Sequence, residues 1–277
     1  MVSSYQDQSL TPSNYAVFRW FGFDQFVPEH AVTSHWVSSK TFLIIRSILT
    51  LYSTVVLWTD IGTSGGIFFQ YFTSMTFIGL HAYQITSLVH HIRYLYTKDI
   101  SFFVNQPTVL NYLYVYLYST VVTFNIVTPV VFWAILAKAM AAKTTIGVWM
   151  NVSVHGVSFF LMIFDVIFNR MKLSIRMAIF PLLTIIFYML LAFIIYAVNH
   201  RWVYPFLDWY QGPSAAIWYF AVGIICVVAF FIQVLIHWLR DFVARKTGKM
   251  NSVEITDDKD NDIAITKLEV DNASSNA

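Results

Sequence analysis

The sequence predicts an all-α, polytopic integral membrane protein: a six-transmembrane-helix bundle with both termini cytosolic. Three observations predict it. The chain is 57% hydrophobic and 12% charged, with 25 Phe, 16 Tyr and 9 Trp. Soluble domains carry about 25% charged residues, so this chain could not cover its apolar surface in water. Six apolar stretches, near 42–59, 67–89, 114–137, 145–168, 177–198 and 214–238, approach or exceed the roughly 20 residues that cross about 30 Å of hydrocarbon. The polar residues within them recur at helical spacing, as inward faces of a bundle do. A net charge of +2 gives no footing for nucleic acid, and none is expected as a partner.

Residues 1–39 read as a polar cytosolic N-terminal extension. They hold no continuous apolar core, so a cleavable signal peptide is not expected and the first membrane helix serves as targeting signal. Residues 40–240 form the six-helix membrane domain. Arg46 interrupts the first span near one end, where snorkelling to the headgroups is expected in preference to burial with a partner. Gly62-Thr63-Ser64-Gly65-Gly66 reads as a tight turn, because its glycine spacing does not make a nucleophile elbow.

Three spans carry polar stripes at about 100° per residue. These are Thr73, Thr76, Tyr83 and Ser87 on the second, Tyr114, Tyr118, Asn125 and Thr128 on the third, and Asn151, His155, Ser158, Asp165 and Asn169 on the fourth. They predict a polar chamber among those spans. Thr76 and His155 lie at matched depth, about 13–15 Å below the non-cytosolic surface. A hydroxyl and an imidazole are the minimum parts for nucleophilic ester cleavage. The bland readings are a threonine bonded to its own helix and a histidine bonded across helices. His81 lies on another face of its helix, and His90 and His91 read as solvated boundary residues. Asp165 is too far along the helix to touch His155, and either pairs with a basic residue or lines the inner end of the chamber.

Trp202, Tyr204 and Phe206 lie between the last two spans, on the side of Thr76 and His155. They form a lid or an interfacial aromatic belt. The lone Cys226 excludes an intramolecular disulfide, and no metal or organic cofactor is implied. Residues 241–277 read as a cytosolic tail, disordered after about residue 250, where Asp257-Asp258-Lys259-Asp260 begins an acidic run. With both ends inside, thirteen Lys and Arg residues are cytosolic, while Lys138, Lys143 and Arg201 face the other side. Neither Asn-x-Ser match, at Asn151 or Asn272, is expected to carry glycan.

Three landmarks carry a resemblance: Thr76-Phe77-Ile78 with Leu80, then Trp149, Asn151 and His155, then Trp202-Val203-Tyr204-Pro205-Phe206-Leu207-Asp208. In this order, over roughly residues 42–240, the chain resembles the androgen-induced-gene family of multi-pass membrane threonine hydrolases. That resemblance implies hydrolysis of fatty acid esters of hydroxy fatty acids, with Thr76 as nucleophile and His155 as base. It implies a membrane lipid as the partner and matches Asp165 to an acidic position. Asn151, one turn before His155, is the candidate oxyanion donor. The chain departs from the family pattern at Gly79, Val152 and Gly156. The endoplasmic reticulum is the expected compartment. The alternative is a non-enzymatic multi-pass transporter or receptor scaffold, for which the same inward stripes would serve.

Overall fold

The computed structural model describes residues 10–138 and 140–250. The acidic run and Asn272 lie outside them. Among the described residues the secondary structure is helical, with no strand. Five segments are long and apolar enough to cross a membrane: Ser39–Gln70, Thr108–Leu136, Thr145–Phe168, Ile175–Asn199 and Pro213–Lys246. The chain therefore has the character of a multi-pass membrane protein.

Six long helices form the bundle: α1 (Ser39–Ser64), α2 (Phe72–Thr97), α3 (Thr108–Leu136), α4 (Thr145–Phe168), α5 (Ile179–Asn199) and α6 (Pro213–Lys246). The Ser38 hydroxyl accepts the Thr41 N–H and caps α1, and Thr144 caps α4 through the Gly147 N–H. The glycine-rich stretch after α1 is not a tight turn. The helix runs on through Ser64, and Gly65–Gln70 continues as a 3-10 segment. Three of the glycine-rich stretch's five residues thus extend α1, and its cavity-facing end with them.

The third helix is central and packs against α2, α4, α5 and α6. The three polar stripes do turn inward. Tyr83 and Ser87, Tyr114 and Tyr118, and Ser158, Asp165 and Asn169 are all buried. Ile44, Leu51, Phe187 and Phe220 point outward and are exposed.

Arg46 corrects the snorkelling expectation. It is 1% exposed, and its Nε and Nη2 each lie 2.8 Å from Asp165 Oδ1. The reason is a lid of chain over that end of the bundle. Residues 10–38 pack there, with Phe23, Ala31 and Val32 buried, and the Ala31 carbonyl accepts a hydrogen bond from Arg46 Nη1 at 3.0 Å. Covered in this way, the guanidinium finds its partners inside. His90 and His91 are likewise buried rather than solvated. His90 stacks on Phe103 with centroids 4.1 Å apart, and His91 Nε2 lies 2.9 Å from the Ser39 hydroxyl.

Candidate functional site

His155 stands where the fourth helix changes its winding. Thr145–Val152 and Ser158–Phe168 are α-helical, but Ser153–Val157 is a π turn. A π turn inserts an extra residue, and such insertions are frequent at functional sites. A second π turn, Phe132–Leu136, ends α3 just beyond Pro129. Proline removes a backbone donor and disfavours regular α-helix around it. In this turn the Ala137 N–H reaches back five residues to the Phe132 carbonyl at 2.7 Å.

The two π turns face each other. The Phe132 ring lies flat on the His155 imidazole, with centroids 3.7 Å apart and planes 10° apart. The neighbouring Trp133 indole donates to the His155 carbonyl at 2.7 Å. Tyr52 of α1 meets the Ser153 hydroxyl at 2.8 Å, and α2 packs against the same turn. The imidazole is held from several sides, yet its buried Nδ1 has no hydrogen-bond partner among the described residues. A buried polar atom left unmatched costs about 1–3 kcal/mol, a cost that a water or a ligand polar group at Nδ1 would relieve.

His155 borders a cavity of about 170 Å³ at the end of the bundle opposite Arg46. Asp60, Ser64, Thr73, Ser74 and Asn151 share its lining, with Phe132, Leu136 and Tyr204 among the apolar walls. Of the stripe residues only Thr73, Asn151 and His155 border it, and the third helix contributes Phe132 and Leu136 rather than its polar stripe, so the cavity differs from the chamber that the stripes predict. Asn151 is turned partly away, since its Nδ2 donates to the Met140 carbonyl at 3.2 Å. The Ser64 hydroxyl lies 2.8 Å from Asp60 Oδ1.

Thr76 is half-buried, and its hydroxyl donates to the Thr73 carbonyl at 2.9 Å. Thr73 and Ser74, rather than Thr76, are the α2 residues that border the cavity. Asp165 does not reach it. Its carboxylate is taken up by Arg46, by the Tyr83 hydroxyl at 2.7 Å and by Asn169 at 3.2 Å, all near the far end. His81 serves a separate contact, its Nδ1 2.9 Å from the Ser53 hydroxyl. Trp202 stacks on Tyr196 with centroids 4.1 Å apart and does not border the cavity. Tyr204 is buried, accepts the Phe72 N–H through its hydroxyl at 3.0 Å, and borders the chamber. Burial pushes its phenol up to about 12, so it stays neutral.

Sequence reasoning missed Asp60 and Ser64, because the first span was ended at residue 59. The available signal was helical spacing: Asp60 falls seven residues after Ser53, close to the same face. Among the described residues no cluster of three or more His, Cys, Asp or Glu side chains could hold a metal ion. Comparison of the chain with family models, with curated proteins and with solved structures gives no match.

Proposed function

We propose that this chain is an intramembrane lipid ester hydrolase with His155 as general base and Thr76 as nucleophile. The observation that carries the reading is the unmatched Nδ1 of His155 beside a polar cavity within an apolar bundle. Thr76 enters through the resemblance to the androgen-induced-gene family. Its hydroxyl is turned to its own helix and it does not border the cavity, so attack requires that the hydroxyl leave the Thr73 carbonyl, reach the cavity and give its proton to His155. The alkoxide then adds to the ester carbonyl, and the tetrahedral oxyanion collapses as the protonated His155 gives its proton to the leaving oxygen, releasing the alcohol and leaving an acyl-threonine. Water activated by His155 hydrolyses that ester. The substrate is a membrane lipid, a fatty acid ester of a hydroxy fatty acid or a related ester, reached from the bilayer. The positions departing from the family pattern leave the cavity intact: Val152 is 42% exposed, and neither Gly79 nor Gly156 borders it.

In this reading α2 is a sixth span and both termini are cytosolic. Twenty-six residues reach about 39 Å. The polar Gln84, Ser87 and His91 of α2 are buried in the bundle, while Ile85, Val89 and Ile92 are exposed where lipid would lie. The endoplasmic reticulum is the proposed compartment.

The test is hydrolysis of mass-tagged esters by membranes carrying wild type, Thr76→Ala, Thr73→Ala, Ser74→Ala or His155→Ala at equal expression. His155→Ala is expected to lower the rate about 10²–10⁴-fold, and Thr76→Ala at least as much. Loss in Thr73→Ala or Ser74→Ala, with Thr76→Ala unchanged, moves the nucleophile to the cavity wall. One observation favours a non-enzymatic transporter or scaffold: the Thr76 hydroxyl faces its own helix rather than the cavity. No turnover by wild type over a broad ester panel would sustain that second reading.

A further inference from the structure

The short helix Ala16–Phe21, in the segment that covers Arg46, carries apolar side chains on two faces. Phe18 and Phe21, three residues apart, turn toward the bundle. Phe18 lies 4.8 Å from Tyr112 of α3, and Phe21 lies 4.7 Å from Phe180 of α5, centroid to centroid. Val17 and Trp20, also three apart, stay outside with Tyr15, and the three are 59%, 55% and 70% exposed. Between residues 10 and 38 these are the exposed large apolar side chains. Water around them would leave the patch uncovered.

The level of this helix follows from α5. Ile179–Asn199 holds no charged residue, and its 21 residues reach about 31 Å, close to the thickness of the hydrocarbon. The start of α5 therefore marks one hydrocarbon boundary. Phe180 packs on Phe21 and Phe23 at that boundary, and the exposed Ile175 and Ile179 carry the lipid-facing flank of α5 up to it. Arg176 stands just outside. Its guanidinium lies 5.3 Å from the Trp20 ring, and its Nη1 donates to the Trp20 carbonyl at 2.8 Å. Trp20 is thereby held at headgroup level, where tryptophan is enriched.

Charge narrows the kind of lipid. Arg19 and Arg176 are both exposed beside Trp20. Asp24, the one acid between residues 10 and 28, is buried and accepts the Ser13 N–H at 3.0 Å. Arg19 donates to the Ser13 carbonyl as Arg176 does to that of Trp20, so backbone orients both side chains. A guanidinium carries five donors in a fork that matches phosphate, and one such contact leaves the others to an external anion.

We infer that Tyr15, Val17 and Trp20 lie in the headgroup layer and that Arg19 and Arg176 bind the phosphate of an anionic phospholipid there. The cover over Arg46 is then fastened to the bilayer as well as to the bundle. In the proposed orientation this is the cytosolic leaflet. The inference stands apart from the hydrolase reading.

Two measurements on the full-length protein test it. The first places a nitroxide at Val17→Cys in a chain carrying Cys226→Ala, in lipid nanodiscs, with Phe187→Cys as the lipid-facing reference and Thr247→Cys, beyond the end of α6, as the aqueous one. The Val17 label is expected to collide with oxygen in preference to a nickel chelate, as the Phe187 label does. A Val17 label as open to the chelate as that at Thr247 overturns the anchor. The second is native mass spectrometry of protein purified with equal amounts of phosphatidylserine and phosphatidylcholine. Wild type is expected to retain phosphatidylserine in preference. Arg19→Gln and Arg176→Gln are each expected to lower that preference about fivefold, the effect of one basic group near an anionic surface, and Arg176→Lys to restore most of it. Arg19→Gln, on the outer surface, carries the test if Arg176→Gln does not fold. Equal retention of the two lipids by wild type overturns the headgroup site. An equal fall in Lys40→Gln, exposed at the start of α1, assigns the preference to the general charge of this end and overturns the site as well.

Discussion

Arg46 and Asp165 are a charged pair buried in the bundle, and their contacts decide what each does. The guanidinium also reaches the Ala31 carbonyl and lies 3.3 Å from His91 Nδ1, while the carboxylate takes the Tyr83 hydroxyl and the Asn169 amide. A buried pair is weak evidence for net stability, but removing one partner strands the other, at about 3–5 kcal/mol. Asp165→Leu or Arg46→Met alone is therefore expected to lower the temperature at which the detergent-solubilised protein loses monodispersity. The double variant Arg46→Met/Asp165→Leu is expected to lose less than the worse single variant. A double loss equal to the sum of the singles would deny the coupling. Asp165 was visible in the sequence as a costly charge with two possible uses. The choice between them was not, because Arg46 lies 119 residues away and the chain that seals it from the headgroups holds no continuous apolar run. The inward stripes were legible because helical spacing alone fixes them. Which threonine of α2 meets the cavity was not, because Thr73 and Thr76 lie near one face, one turn apart, and only packing decides which depth the cavity reaches.

Two π turns, touching through Phe132 and His155, form one wall of the candidate site. One inserted residue barely alters a hydrophobic pattern, so neither turn was legible in the sequence; Pro129 hinted only that α3 would not end as a regular helix. The insertion also sets the register of the helix beyond it. Deleting Gly156 would restore an α-helical turn and rotate Ser158–Phe168 by about 100°, carrying Asp165 away from Arg46. That deletion is expected to abolish accumulation of folded protein, read by fluorescence size-exclusion chromatography of a tagged chain. A normal monodisperse peak would show that the register is not fixed by the turn. Trp133→Phe is a gentler probe. It removes the indole donor from the His155 carbonyl but keeps an aromatic ring, at a cost of about 1–3 kcal/mol if the carbonyl stays unmatched. The proposed ester turnover should then fall severalfold with little change in expression. Unchanged turnover would mean that the indole does not hold the imidazole in place.

For the whole molecule, the sequence carried the helical class and the multi-pass character because apolar length and helical spacing are local properties. The packing of residues 10–38 over one end depends on contacts between distant segments and left no periodic trace, whereas Asp60 kept the helical spacing from Ser53. The number of crossings turns on α2, whose polar residues lower its mean hydropathy although they are buried inside. If α2 spans, the segments before and after it lie on opposite sides of the membrane; if it does not, they share a side. Cys226 is buried and is the one cysteine of the chain, so Cys226→Ala gives a background free of thiols. Single cysteines at Gly66→Cys, Tyr96→Cys and Lys143→Cys occupy exposed positions before α2, at its end and before α4. In sealed microsomes a membrane-impermeant maleimide is expected to label Tyr96→Cys at once, and Gly66→Cys and Lys143→Cys only after the membrane is opened. Gly66 and Tyr96 labelled together before opening would leave five crossings, put the chain ends on opposite sides and undo the cytosolic placement of one terminus. The opposite labelling of those two positions would make α2 a span. Its cavity-facing residues Thr73 and Ser74 would then sit just inside the far leaflet, where an ester arriving from the bilayer meets both water and His155.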